Sequence, residues 1–194
     1  MRHFWNPFYK LAGWKALIPG LIALAVLGLF GGYFDAHFDG VIDMHVAEEV
    51  PFGISFLENI INWLVLIIVW GIAAVTLNGY RFRSIDLIGI MGFVRIPYIV
   101  LPPLAYLFSI KDHIDNIGAM VLDKSGFSLE PLASLGFVAF VIMSLAVIIL
   151  SVIWMYNGFK LLSNSKGVRL NVTFIIGLIV CELLSKVIIG IIIL

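Results

Sequence analysis

The chain has 194 residues, 62% of them hydrophobic and only 12% charged, with a mean hydropathy of +1.11. A soluble domain is about half apolar and about a quarter charged, and a fold this short has too little interior to hide the surplus. Twelve basic and twelve acidic residues leave no net charge, which argues against nucleic acid as a partner, and the single Cys181 excludes a disulfide framework or a thiolate metal site.

Five apolar stretches reach spanning length, about 20 residues for a hydrocarbon core near 30 Å. They run approximately over residues 15–34, 56–77, 86–110, 132–157 and 170–194. Backbone amides go unhydrated in lipid, so each should be a helix, and the expected fold is an all-α integral membrane bundle forming one domain over 1–194. The first stretch follows Lys10 and Lys15 as a signal peptide would, but its length and the four later spans favour an uncleaved anchor. Before it, Phe4, Trp5, Phe8 and Tyr9 beside Arg2 and Lys10 read as a segment lying in the membrane interface.

The connecting segments separate by charge. Arg2, Lys10 and Lys15, then Arg81 and Arg83, then Lys160, Lys166 and Arg169 stand with no acidic residue among them. The other two loops hold Lys111 and Lys124 against Asp35, Asp39, Asp43, Glu48, Glu49, Asp112, Asp115, Asp123 and Glu130. Basic loops face the cytoplasm, so the N-terminus is expected inside and the C-terminus outside. A weak internal repeat follows the same topology. Trp70 precedes Asn78-Gly79-Tyr80-Arg81 at the end of span two, as Trp154 precedes Asn157-Gly158-Phe159-Lys160 at the end of span four. The alternative is that Asn-Gly-aromatic-basic simply ends a helix and anchors it at the interface.

Gly79-Tyr-Arg-Phe-Arg-Ser-Ile-Asp86, with Gly92-Phe-Val-Arg-Ile-Pro97-Tyr98, resembles the stretch of the Yip family (Ypt-interacting proteins) that enters the third span. Ile153-Trp154-Met-Tyr-Asn-Gly158-Phe-Lys-Leu-Leu-Ser163 resembles that family's fourth span and following loop, and the likeness covers roughly residues 65–190. The resemblance implies a five-helix membrane domain with a cytosolic N-terminus, in the plasma (inner) membrane of a prokaryote or otherwise in Golgi or ER. Eukaryotic members are implied to bind Rab-type GTPases through a cytosolic N-terminal region. This chain has about 14 residues before its first span and no Asp-Leu-Tyr-Gly-Pro motif; Asp86-Leu87-Ile88-Gly89-Ile90 is at best a fragment. That departure argues against GTPase binding and for a compact prokaryotic relative.

Three ionisable residues, Arg95, Glu182 and Lys186, are read as lying within spans, where each costs at least a few kcal/mol near the bilayer centre. Spans three and five run in the same direction. Arg95, nine residues past Asp86, and Glu182, twelve past Leu170, are therefore about 14 and 18 Å deep. Lys186 follows Glu182 at i+4 on the same face. An Arg95–Glu182–Lys186 cluster is expected, either as an ion-pair network fixing helix packing or as a substrate, proton or lipid-headgroup site. Pro97, Pro102 and Pro103 make span three the kinked one.

Asp35-Ala-His37-Phe-Asp39-Gly-Val-Ile-Asp43-Met-His45 concentrates possible metal ligands. As a helix, it would place Asp35, Asp39 and Asp43 on one face and His37 and His45 on another. Imidazole with carboxylate suits a divalent metal such as zinc, and His113 with Asp112 and Asp115 from the other outer loop would complete a site. The alternative is an acidic extramembrane loop. No Gly-x-Ser-x-Gly or His-Glu-x-x-His motif is present, and Glu48-Glu49 lies in a loop without the partners a paired-glutamate protease needs. Three functions follow in order: a non-enzymatic organiser or binder of membrane components, as a homo-oligomer or with other membrane proteins; a small transporter or channel using the buried charges; and a metal-dependent membrane enzyme working at the outer loops.

Overall fold

The computed structural model describes residues 5–47, 49–115 and 135–193. In chain order these form α1 (Trp14–Tyr33), a two-stranded hairpin of β1 (Ala36–His37) and β2 (His45–Val46), α2 (Phe52–Asn78), α3 (Ser84–Phe93), α4 (Leu101–Leu107), α5 (Leu135–Ser163) and α6 (Gly167–Ile193). α3, a 3-10 turn at Ile96–Val100 and α4 together make one interrupted span. Five helical segments are thus long and apolar enough to cross a membrane. Arg2, Phe4, Glu48, Asp123, Lys124, Glu130, residues 132–134 and Leu194 lie outside the described residues.

The interruption follows from the prolines. Pro97 has no N–H to give and Pro102 and Pro103 open the next helix, so the ladder tightens to a 3-10 turn immediately after Arg95. α2 starts at Phe52 rather than Phe56, because Pro51, extended at ψ 139°, hands its carbonyl to Ser55 N at 3.1 Å and begins the first turn. α2 ends at Gly79, whose φ of 63° an L side chain would resist. The matching Gly158 does not end α5, which runs on to Ser163; there a Cβ would collide with Ile90 and come 3.3 Å from Phe8. The Asn-Gly-aromatic-basic element therefore closes one helix and is a packing position in the other.

Packing centres on α1, which lies against both α2 and α3. Gly20 of α1 meets Gly92 of α3, and Gly89 meets the backbone of Leu17, a small-residue crossing of the kind lipid-embedded helices use. Across α2, Trp70 stacks on Phe174 of α6 at 5.1 Å and packs against Phe159 of α5 at 4.6 Å. Phe8 departs from the expected interfacial placement. Asn6 accepts from its N–H at 3.2 Å, and its buried ring inserts edge-on to Phe93 at 5.7 Å, while Trp5 and Tyr9 stay exposed.

Candidate functional site

Residues 35–45 do not form the helix that would set three aspartates on one face. They fold back against the ends of the spans as a hairpin with Ala36 opposite Val46 and His37 opposite His45. Asp35, at φ 53°, closes its base: its carbonyl accepts from Ala47 N at 2.9 Å and its carboxylate from Val50 N at 3.1 Å. The tip is buried. Phe38 and Val41 are fully covered, and Gly40 packs so closely on the Glu182 carboxylate that a Cβ would collide with Oε1.

A loop buried this way must have its backbone groups met by the helices. α2 supplies a polar stripe at Ser55, Glu58, Asn59 and Asn62, the i, i+3, i+4, i+7 spacing of one helix face, and all four are buried. Glu58, only 1% exposed, accepts from Phe38 N at 2.9 Å through Oε2 and lies 2.5 Å from His37 Nδ1 through Oε1. Asn62 donates to the Phe38 carbonyl at 2.6 Å and accepts from the Ser185 hydroxyl of α6. Glu58 is six residues into α2, so this network sits about 9 Å below the helix end.

Arg95, fully buried, donates through Nη1 to the Val41 carbonyl and through Nη2 to Asn59 Oδ1 at 3.2 Å. Its guanidinium also lies over the rings of Tyr98 at 4.8 Å and Phe38 at 5.6 Å, positions where a cation is attracted to the aromatic face. Glu182 accepts from Ile42 N at 3.0 Å. The carbonyl of Val41 and the N–H of Ile42 belong to one peptide group. Arg95 and Glu182 therefore hold opposite ends of the same peptide dipole, cation on oxygen and anion on nitrogen. This replaces the direct Arg95–Glu182 bond expected from their depths, because the loop backbone enters between them. Lys186 stands 3.5 Å from Glu182 and donates to Asp43 at 2.7 Å.

The proposed metal ligands are only partly gathered. His37 and His45 stack with centroids 5.5 Å apart and planes 29° apart; His45 Nδ1 is 3.3 Å from Asp39 Oδ1. The two Nδ1 atoms face different carboxylates, His37 that of Glu58 at 2.5 Å and His45 that of Asp39. Asp43 is occupied by Lys186, and His113 Nδ1 contacts the Ser109 carbonyl at 2.9 Å beside Phe137. Among the described residues no three His, Cys, Asp or Glu side chains are arranged to hold a metal ion.

Glu58, Asn59, Asn62 and Ser185 are absent from the candidates read in the sequence, although Glu58 falls inside the second apolar stretch. The polar spacing in that stretch was the signal for the first three, whereas Ser185 belongs to α6. Comparison with family models, curated proteins and solved structures finds no match to this chain. The likeness to the Yip family thus rests on the residues quoted for it.

Proposed function

We propose that this chain is a non-enzymatic, multi-pass membrane protein of Yip-like type that binds and organises membrane components, with its N-terminus in the cytoplasm. The observation that carries the reading is the use of the charges at Arg95, Glu182 and Lys186, of which Arg95 is fully buried and Lys186 exposed. Arg95 and Glu182 are spent on one peptide of an inserted loop, and Lys186 on Asp43. A carrier or channel needs such groups free to meet a solute along a path. Here they fasten a plug, which suits a rigid binding body better than a transport route.

Orientation is supported by the eight basic and no acidic residues of one set of connecting segments, against two basic and nine acidic in the other. In a Cys181→Ser background, cysteines introduced at Ser165 and Ser125 should label from opposite sides of sealed vesicles. Labelling of both from one side rejects the topology. For function, the purified protein in sealed vesicles should leave imposed proton and ion gradients to decay as slowly as in empty vesicles. A leak that vanishes in Arg95→Gln would establish the transporter instead.

A further inference from the structure

The basic residues of the connecting segments are not all spent inside the protein. Arg83 is paired with Asp86, and Arg169 donates to the Thr76 carbonyl at 3.5 Å. Lys160, near the end of α5, and Lys166, just before α6, are both exposed, and among the described residues neither meets an acceptor or a carboxylate. Both line one cavity of about 230 Å³, closed on its other side by the 3-10 turn at Pro7–Tyr9.

Sign, donors and depth define what the cavity takes. No acidic side chain lines it, and Asp86, at the start of α3, is held by Arg83 and by Gly13 N–H at 2.7 Å. The negative end of α5 and the positive end of α6 meet beside it, so the helix dipoles oppose one another and the two ammonium groups decide the field. Each lysine brings three N–H donors. Asn6 has its Oδ1 engaged by Phe8 N–H, which leaves its NH2 group, and the Asn164 amide has no partner among the described residues. α5 is 29 residues long, about 43 Å against a hydrocarbon core near 30 Å, so its last turn, with Lys160, stands in the headgroup layer. Tyr9 and Leu161, both exposed, give the cavity an apolar rim.

A cation is repelled here, and a neutral ligand leaves both lysines without a counter-charge. A phosphodiester supplies a full negative charge and several acceptor oxygens, which suit converging ammonium and amide donors. In a choline or ethanolamine headgroup that charge is offset by an ammonium, which the lysines oppose. We propose that this cavity binds the phosphate headgroup of an anionic phospholipid, with Lys160 and Lys166 donating to its oxygens and the Asn6 and Asn164 amides completing the cradle. Inorganic phosphate shares the chemistry, but only a lipid also uses the rim of Tyr9 and Leu161.

The inference rests on the reading of the chain as a binder of membrane components and names one of them. Its test needs neither orientation nor a flux measurement, so the two can fail separately. The full-length protein in detergent micelles is offered equal amounts of glycerol, choline and ethanolamine phospholipids with identical acyl chains, and retained lipid is counted by native mass spectrometry. The anionic glycerol lipid should be retained about tenfold over the choline lipid, the scale expected of two lysines acting on one extra negative charge. Lys160→Gln with Lys166→Gln should bring the two to parity, and Lys160→Arg with Lys166→Arg should keep the preference. Lys15→Gln with Arg81→Gln removes the same charge from exposed positions outside the cavity and should also keep it. Equal retention of glycerol and choline lipids by the unaltered protein overturns the proposal. So does an equal loss of preference in the two glutamine pairs, which would mean a diffuse basic surface instead of a site. Displacement of the glycerol lipid by an equal concentration of inorganic phosphate would reassign the cavity to a soluble anion.

Discussion

Arg95→Met is expected to cost the protein about 3–5 kcal/mol, the range for removing one partner from a buried charged network. Methionine keeps most of the side-chain bulk, so the loss is electrostatic. The Val41 carbonyl and Asn59 Oδ1 lose their donor at a depth where water does not replace it, and Glu182 keeps only Lys186 as a counter-charge. The inserted loop should then lift from the bundle. Cys181, fully buried and the single cysteine of the chain, lies in the same buried cluster as Val41 of the loop and reports its loosening. A water-soluble maleimide should leave it unmodified in the unaltered protein and modify it in Arg95→Met. Glu182→Gln should also destabilise, through the Ile42 end of the same peptide. The double variant should lose less than the sum of the two, by at least about 0.5 kcal/mol, because the peptide dipole is gripped from both ends. Strict additivity would mean that the two residues act independently in spite of their shared peptide.

The number of spans was legible because length and apolarity leave the backbone no alternative in lipid. The kink in the third span was legible too, since Pro97, Pro102 and Pro103 act through local covalent geometry. The layer occupied by Arg95 and Glu182 followed from counting residues along parallel helices, and both do reach the same peptide. What filled that layer did not follow. The four-residue spacing of Asp35, Asp39 and Asp43 suggests a helix, but the spacing is incidental. The loop conformation is decided by partners distant in sequence: Glu58 on Phe38, Arg95 on Val41, Glu182 against Gly40. Glu58 was hidden by the hydropathy of its own stretch. Averaging over 20 residues dilutes one carboxylate, whereas the stripe Ser55, Glu58, Asn59, Asn62 keeps its periodicity. A polar face on a spanning helix asks what it binds, and here the answer was a loop of the same chain.

Gly20→Ala and Gly53→Ala should change stability in opposite directions. Both glycines lie inside helices, and in each case alanine removes backbone freedom from the unfolded chain and raises helix propensity, a gain of about 0.5–1 kcal/mol. At Gly53 nothing lies within 4 Å of the added Cβ, so the gain should be realised. At Gly20 the Cβ would stand 2.8 Å from the Gly92 carbonyl carbon and 2.9 Å from Phe93 N. Both are backbone atoms of α3 and neither can rotate aside, so α1 and α3 must separate. Overpacking of this kind costs about 1–3 kcal/mol, which outweighs the propensity gain. The consequence extends to the inserted loop. Gly92 is three residues before Arg95, and the 3-10 turn that follows ties Arg95 closely to the end of α3. Moving α3 off α1 therefore drags the guanidinium away from the Val41 carbonyl. Gly20→Ala should accordingly melt earlier in detergent than the unaltered protein and gain maleimide reactivity at Cys181, while Gly53→Ala melts later and leaves Cys181 protected. If Gly20→Ala is destabilised with Cys181 still protected, the α1–α3 crossing supports the bundle without positioning Arg95. If it is as stable as Gly53→Ala, the close backbone approach of the two helices is wrong.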